Sequence, residues 1–466
     1  MGPTRSHPMP PADTPLQSPL TLAQLKAEVA AGTIHTVVIA MTDMQGRLQG
    51  KRLAARYFLD TVLAHHAEGC SYQLAVDIDM NTVSGYEITS WERGYGDFVF
   101  VPDLATLRRM PWHAGTALVL CDLQWADGTP VVVSPRQVLR RQIERLAGHG
   151  LLAFAATELE FIVFRDTYEQ AWHKAYRDLE PVNLYNVDYA LLDTARIEPL
   201  LARIRNNMVG AGLVLENSKG ECNFGQHEIN FGYGPALQAA DEHAIYKNGA
   251  KEIAAQEGYS LTFMAKFNQR EGSSCHIHLS LRNPDGTAVF AGSEADGMSP
   301  LFRHFLAGQL ACMRELTLFF APNINSYKRF AKGSFAPTAV AWGRDNRTCA
   351  LRVVGHGASL RVENRVPGGD ANPYLALGAM IAAGLHGIEN RLELEDAYPS
   401  NAYTSDKPRV PHNLVEAQAL LRDSAIARAA FGRPVIDHYL NMAQVEIDAF
   451  EAAVTDWERF RGFERM

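Results

Sequence analysis

Four short segments of this 466-residue chain carry ionisable or polar side chains at every second position, and this alternation limits the fold more than any other feature. In a β-strand, successive side chains point to opposite faces. Leu151 to Phe164 therefore puts Glu158 and Glu160 on one face, with Thr157, Leu159, Phe161 and Val163 on the other. Gln226, Glu228 and Asn230 alternate with His227, Ile229 and Phe231. His276, His278 and Ser280 share one face of Cys275 to Leu281, and Arg361, Glu363 and Arg365 share one face of Leu360 to Val366. Singly, each pattern fits a solvated strand or a surface ion-pair ladder. Together they predict a sheet with one apolar and one polar face. Burying that many carboxylates is costly unless a cation neutralises them.

The expected ligands are Glu158, Glu160, Glu221, Glu228, His276 and Glu363. This oxygen-dominated set suits Mg2+ or Mn2+ better than structural zinc, and it is large enough for two ions. Paired divalent ions beside arginines suit phosphoryl transfer, so an ATP-linked reaction is expected. Two glycine motifs are decoys. Gly46 to Lys51 is one residue short of a P-loop, with Arg52 where serine or threonine is needed, and Gly355-His356-Gly357 lacks a glycine at position 360.

A net charge of -8 provides no basic surplus for nucleic acid or anionic membranes. The six cysteines are scattered without a C-x-x-C pair, which fits a reducing cytoplasm. Residues 1–15, rich in proline and polar groups, read as a disordered tail. Leu375 to Leu385 is apolar but well short of the roughly 20 residues a membrane span needs, and reads as an internal helix. A small α+β unit is expected over 16–124, with a helix over Thr21–Ala31, a strand over Thr36–Thr42, a turn at Asp43–Gly46 and a helix over Tyr57–Glu68. A larger unit of alternating strands and helices is expected over 125–466. Ser134 and Pro135 are expected to open its first helix as cap and first residue.

The runs Thr157-Glu158-Leu159-Glu160-Phe161, Gly225-Gln226-His227-Glu228, Gly272 to Ser280, Asn325-Ser326-Tyr327-Lys328-Arg329, Arg361-Val362-Glu363-Asn364-Arg365 and Asn372-Pro373-Tyr374 together resemble the glutamine synthetases, from about Val37 to Tyr403. The resemblance implies an α+β molecule: a β-grasp N-terminal domain followed by a catalytic α/β domain built on a curved antiparallel sheet. It also implies a homo-oligomer, a dodecamer of two hexameric rings with active sites between neighbouring subunits. One metal would use Glu160, Glu221 and Glu228, and the other Glu158, His276 and Glu363. ATP would meet Glu216, Tyr233, His278, Ser280, Arg352 and Arg361. Glutamate would be held by Gly272, Arg329 and Arg365, and Arg347 would steady the transferred phosphoryl group.

The reaction implied is phosphorylation of the glutamate side-chain carboxylate to γ-glutamyl phosphate, followed by attack of an amine. Three departures bear on which amine. Phe335 stands where the family's flap carries a glutamate, Gln73 aligns near the ammonium-binding aspartate, and Glu271 replaces an asparagine. Loss of two anionic partners for ammonium favours an organic amine: a polyamine, ethanolamine or another monoamine. The alternatives are a true glutamine synthetase using ammonium and a catalytically silent nucleotide- or glutamine-binding sensor.

Overall fold

The computed structural model describes residues 20–466, so the expected tail over 1–15 lies outside the described residues. Strand β1 (Thr36–Thr42) matches the β-rich run and returns antiparallel as β2 (Leu48–Ala54). The predicted turn joins them. The Asp43 carboxylate accepts from the Gln45 and Arg47 amides at 3.1 and 2.8 Å, and Gly46 adopts φ +80°. With β3 (Ala67–Cys70), β4 (Asp97–Pro102), β5 (Arg108–Arg109) and β6 (Thr116–Gln124), they form a sheet of order β2-β1-β6-β4-β3, with β5 also on β6. The helix Leu22–Ala30 packs beside it, closed at its start by a Thr21–Gln24 capping box. The expected helix over 57–68 starts earlier and ends earlier. Helical turns run from Ala55 to His65 with a π-helical stretch at Phe58–Val62, and His66 at φ +60° redirects the chain into β3.

The second sheet comprises β7 (Leu152–Phe164), β8 (Leu215–Gly220), β9 (Gln226–Phe231), β10 (Gly234–Pro235), β11 (Ser260–Thr262), β12 (Cys275–Arg282), β13 (Trp342–Arg344), β14 (Leu351–Val354) and β15 (Arg361–Asn364). Its order is β13-β14-β15-β12-β7-β9-β8, with β10 and β11 also on β7. The pairings are antiparallel as expected, except that β13 runs parallel to β14. The face carrying Leu159, Phe161, Ile229, Ile277 and Val362 is fully buried against helices. Thr157 on that face bonds His243 of the helix Ala236–Gln256 at 3.0 Å. The apolar run predicted as internal is the centre of the buried helix Pro373–Glu389. It crosses the helix Pro300–Cys312 so closely that a Cβ on Gly387 would meet the His304 carbonyl oxygen at 2.0 Å. Among the described residues no helix is long and apolar enough to cross a membrane.

The helix Pro135–Gly148 begins with proline as expected, but the Ser134 side chain makes no capping bond. The residue after Pro135, Arg136, joins the two sheets. Its buried guanidinium bonds Asp103 and Asp122 of the first sheet region at 2.7 Å each, and Asp241 of the helix Ala236–Gln256 at 3.0 Å. Tyr374 also donates to Asp241, at 2.7 Å. Asn372, which caps the helix Pro373–Glu389, donates to the carbonyls of Asp43 and Met44 in the β1–β2 turn. Replacing Arg136 by methionine strands the buried Asp241 carboxylate. The expected loss is about 3–5 kcal/mol, read as a lowered midpoint in urea unfolding.

Candidate active site

The polar face of the second sheet is where the register brings the carboxylates together. Across β7 and β9, Glu160 pairs directly with Glu228; across β7 and β12, Glu158 pairs with His276; and Glu363 on β15 pairs with His278 on β12. Among the described residues three groups have ligand atoms within 4.8 Å of one another: Glu160, Glu221 and Glu228; Glu158, His276 and Glu363; and a more exposed group of Asp188, Glu221 and Cys222. The first two lie on this face. These are the two triads the resemblance implied.

The first triad is buried and rich in negative charge. Glu160 accepts from the Ser274 amide at 2.8 Å and from Gln226 Nε2 at 3.1 Å, Glu228 accepts from Asn230 Nδ2 at 2.7 Å, and Glu221 pairs with Lys219. Burial and the nearby Glu221 push the Glu160 carboxyl up to about 8. Burial pushes Glu221 up to about 7, against the pull of Lys219, and burial with Glu160 and Glu158 raises Glu228 to about 7. Three acids that resist ionisation beside one another form a site that a divalent cation satisfies.

In the second triad, His276 Nδ1 lies 3.3 Å from Glu158 and 3.6 Å from Glu363, while its buried Nε2 has no protein partner. Burial, then Arg365, lowers His276 to about 4, leaving the neutral imidazole that metal binding requires. Burial opposes ionisation of Glu158, yet hydrogen bonds from His276 and His278 hold its carboxyl well below the usual range. Glu363, fully buried, pairs with Arg365 and with Arg352 at 2.9 Å; burial opposes its ionisation, but His276 and Arg365 keep its carboxyl low. The donor chemistry of both triads fits magnesium or manganese.

Two cavities meet on this face, sharing Glu158, Asn217 and Asn230 in their walls. One, of about 670 Å³, contains Glu216, Tyr233, His278, Ser280 and Arg361, all five expected at the nucleotide. The sixth, Arg352, lines the other cavity, held between Glu363 and Asp345. Phe154 and Arg282 were missed. Arg282 lies against the rings of Phe154 and Tyr233 at 5.4 and 5.9 Å from their centroids. The signal was present: counting back from Glu158 by twos reaches Phe154, which pairs with Ser280 across the strands.

The second cavity, of about 640 Å³, contains both carboxylate triads together with Gly272, Phe335, Arg347 and Arg365. Gly272 has no room for a side chain, since a Cβ would meet the Ala265 carbonyl oxygen at 2.3 Å and Arg329 Cγ at 2.9 Å. Arg329 lies behind that wall instead of in it. Its buried guanidinium bonds Ser274 Oγ and the carbonyls of Val366 and Arg365 at 2.8 to 3.0 Å, and its Nε is unpartnered. Arg365 also keeps an unpartnered buried Nε, and donates to the Phe335 carbonyl at 3.3 Å. Phe335 is 58% exposed at φ +57°, a left-handed conformation that a bulky side chain rarely adopts. Glu271, the departure noted in the sequence, also lines this cavity, as do Asp188, Tyr189, Lys219 and Cys222, which were not foreseen; Asp188 and Tyr189 lie on a loop, where no periodicity marks them. Gln73 lies elsewhere, its amide donating to the Cys70 carbonyl at 3.0 Å.

Residues 132–461 match the family model for the glutamine synthetase catalytic domain, and the chain belongs to the glutamine synthetase family. It is 65% identical over 467 residues to the gamma-glutamylethanolamide synthetase of Streptomyces coelicolor, with 100% of each chain covered. It is 39% identical over 435 residues to the glutamate–isopropylamine ligase of a Pseudomonas species, covering 92% of this chain and 95% of that one. The solved ADP complex of GmaS matches with a TM-score of 0.83 at 27% identity, covering 94% of this chain and 99% of that one.

The triads make a signed prediction for the metal-free protein. Glu160, Glu221 and Glu228 have folded values of about 8, 7 and 7 against an ordinary 4.5, so the folded state binds more protons than the unfolded state and loses stability as pH rises. Buried His276 acts in the opposite sense only below its ordinary 6.5. In EDTA, melting temperature is therefore expected to fall from about pH 6.5 to 8, less steeply in Glu228→Gln. Adding Mn2+ or Mg2+ should raise it in the parent, and unchanged stabilisation in Glu228→Gln would count against the triad as a metal site.

Proposed function

We propose that this protein ligates the γ-carboxylate of glutamate to a small organic amine at the expense of ATP, with ethanolamine the favoured amine. The observation that carries the reading is the second cavity: it joins two carboxylate triads and arginines to an exposed aromatic, Phe335. The 65% identity to a gamma-glutamylethanolamide synthetase points to the same amine.

The adenine end of ATP fits the cavity of Phe154, Tyr233 and Arg282, with Ser280 and Arg361 on its walls. Its phosphates extend past Glu158 toward Arg352 and Arg347. Glu160, Glu221 and Glu228 would hold one Mg2+ or Mn2+, and Glu158, His276 and Glu363 another. Such ions, when bound, offset phosphate charge and polarise the transferred group. Arg365 and the side-chain-free wall at Gly272 hold glutamate, and Arg329 fixes that wall from behind. A γ-carboxylate oxygen attacks the terminal phosphorus, ADP leaves, and Arg347 balances the negative charge on the transferred phosphoryl group.

The alkylammonium first gives one proton to solvent, and the free amine nitrogen then attacks the γ-carbonyl carbon. The C–O bond to phosphate breaks, phosphate leaves with the bonding pair, and the nitrogen passes its extra proton to the departing phosphate. Phe335 cannot accept a proton or pair with a bare ammonium ion, but it covers a hydrocarbon tail and excludes water from the acyl phosphate. The proposal includes the two-ring dodecamer implied by the family, supported by the exposed Trp457, Phe460 and Phe463 near the C-terminus. It also places the enzyme in the cytoplasm, in keeping with six free cysteines.

The test is ATP-dependent phosphate release with glutamate and Mg2+, comparing ammonium with ethanolamine, isopropylamine and putrescine, with products identified by mass. Ethanolamine is expected to give the highest kcat/KM. Phe335→Glu is expected to lower ethanolamine turnover and raise that with ammonium. Preference of the parent enzyme for ammonium would make it a glutamine synthetase, and no amine-dependent release would leave the sensor reading.

A further inference from the structure

The second cavity contains two carboxylates that belong to neither metal triad, Glu271, which lies 3.5 Å from Arg270, and Asp188. Asp188 lies within 4.8 Å of Glu221, measured between side-chain ligand atoms, and faces the same cavity. Its Oδ2 accepts from the Cys222 thiol at 3.5 Å, and its Oδ1 lies 3.5 Å from Lys219 Nζ. That same Nζ pairs with Glu221 and sits 4.6 Å from the centroid of the Tyr189 ring. A primary alkylammonium supplied by the chain itself thus occupies a pocket bounded by two carboxylates and an aromatic face. This is the recognition chemistry that a protonated organic amine needs: an anion for the charge and ring surface for the cation and its methylenes. Tyr189 is 70% exposed and held at φ +56°, so its ring is not there to pack a core.

Resting on the ligase reading above, we infer that Asp188, with Tyr189 beside it, is the specificity determinant that captures the protonated amine substrate as Lys219 cedes its place. Once Glu221 is engaged by a metal, Asp188 is the remaining carboxylate of the pair. It binds the alkylammonium next to the acyl phosphate, with the tail toward Tyr189 and Phe335. No bond is made or broken in this capture; the proton leaves in the ligation step already described.

The experiment is steady-state kinetics of Asp188→Asn and Asp188→Glu in the full-length enzyme, with two nucleophiles. Ethanolamine is a cation near neutral pH, whereas hydroxylamine is uncharged and needs no anion. Asp188→Asn is expected to raise KM for ethanolamine about tenfold or more, with KM for glutamate, ATP and hydroxylamine within about twofold of the parent, and Asp188→Glu is expected to recover part of the loss. Equal losses with ethanolamine and hydroxylamine, or no change in KM for ethanolamine, would overturn the assignment. Failure of the ligase reading is separable, because the parent enzyme would then release no phosphate with any organic amine.

Discussion

Mutual repulsion among buried carboxylates is the constraint around which this molecule is organised. Glu160 and Glu228 face each other across neighbouring strands and Glu221 completes the group, a pairing that a sheet ordinarily avoids. The fold holds them there because Leu159, Phe161, Ile229, Ile277 and Val362 on the opposite face of the same strands are buried, and slipping any strand by one residue would exchange its apolar side chains for charged ones. Hydrophobic burial thus fixes the register, and the register sets the electrostatics. Lys219 supplies one positive charge, and the remainder of the imbalance is what makes the face a cation site.

The two triads differ in how they are balanced. Glu158 and Glu363 are accompanied by His276, Arg352 and Arg365, and their carboxyls ionise easily. Glu160, Glu221 and Glu228 are not so supported and resist ionisation. The contrast matches their surroundings: Arg352 and Arg365 gather around Glu158, His276 and Glu363, while the loop carrying Asp188 approaches Glu160, Glu221 and Glu228.

Much of this was legible in the sequence because strand alternation is a local rule. Glu158, Glu160, Glu228, His276 and Glu363 could be assigned to one face by counting in twos, and the register then brought them together. Glu221, just beyond the end of β8, was among the expected ligands although it lies on none of the alternating segments, and its grouping with Glu160 and Glu228, like the role of Arg347, came from motif resemblance. Two kinds of information were out of reach. Ends of elements depend on tertiary context, as where His66 at positive φ cuts short the expected helix and a π-helical turn absorbs a residue within it. Loop residues such as Asp188 and Tyr189 carry no periodic signature, and Arg329 shares a motif with its neighbours yet faces away from the cavity behind Gly272.

The Arg136 junction has a consequence for how the chain divides. Its guanidinium draws two carboxylates from the first sheet region and one from the helix Ala236–Gln256, and Asn372 reaches back to the β1–β2 turn. Severing the chain after β6 would leave a buried cation with a single counter-ion and free the turn carbonyls that Asn372 satisfies. The two sheets are thus tied by a buried ionic junction, and recombining the halves of this chain would have to carry the aspartates and the arginine together.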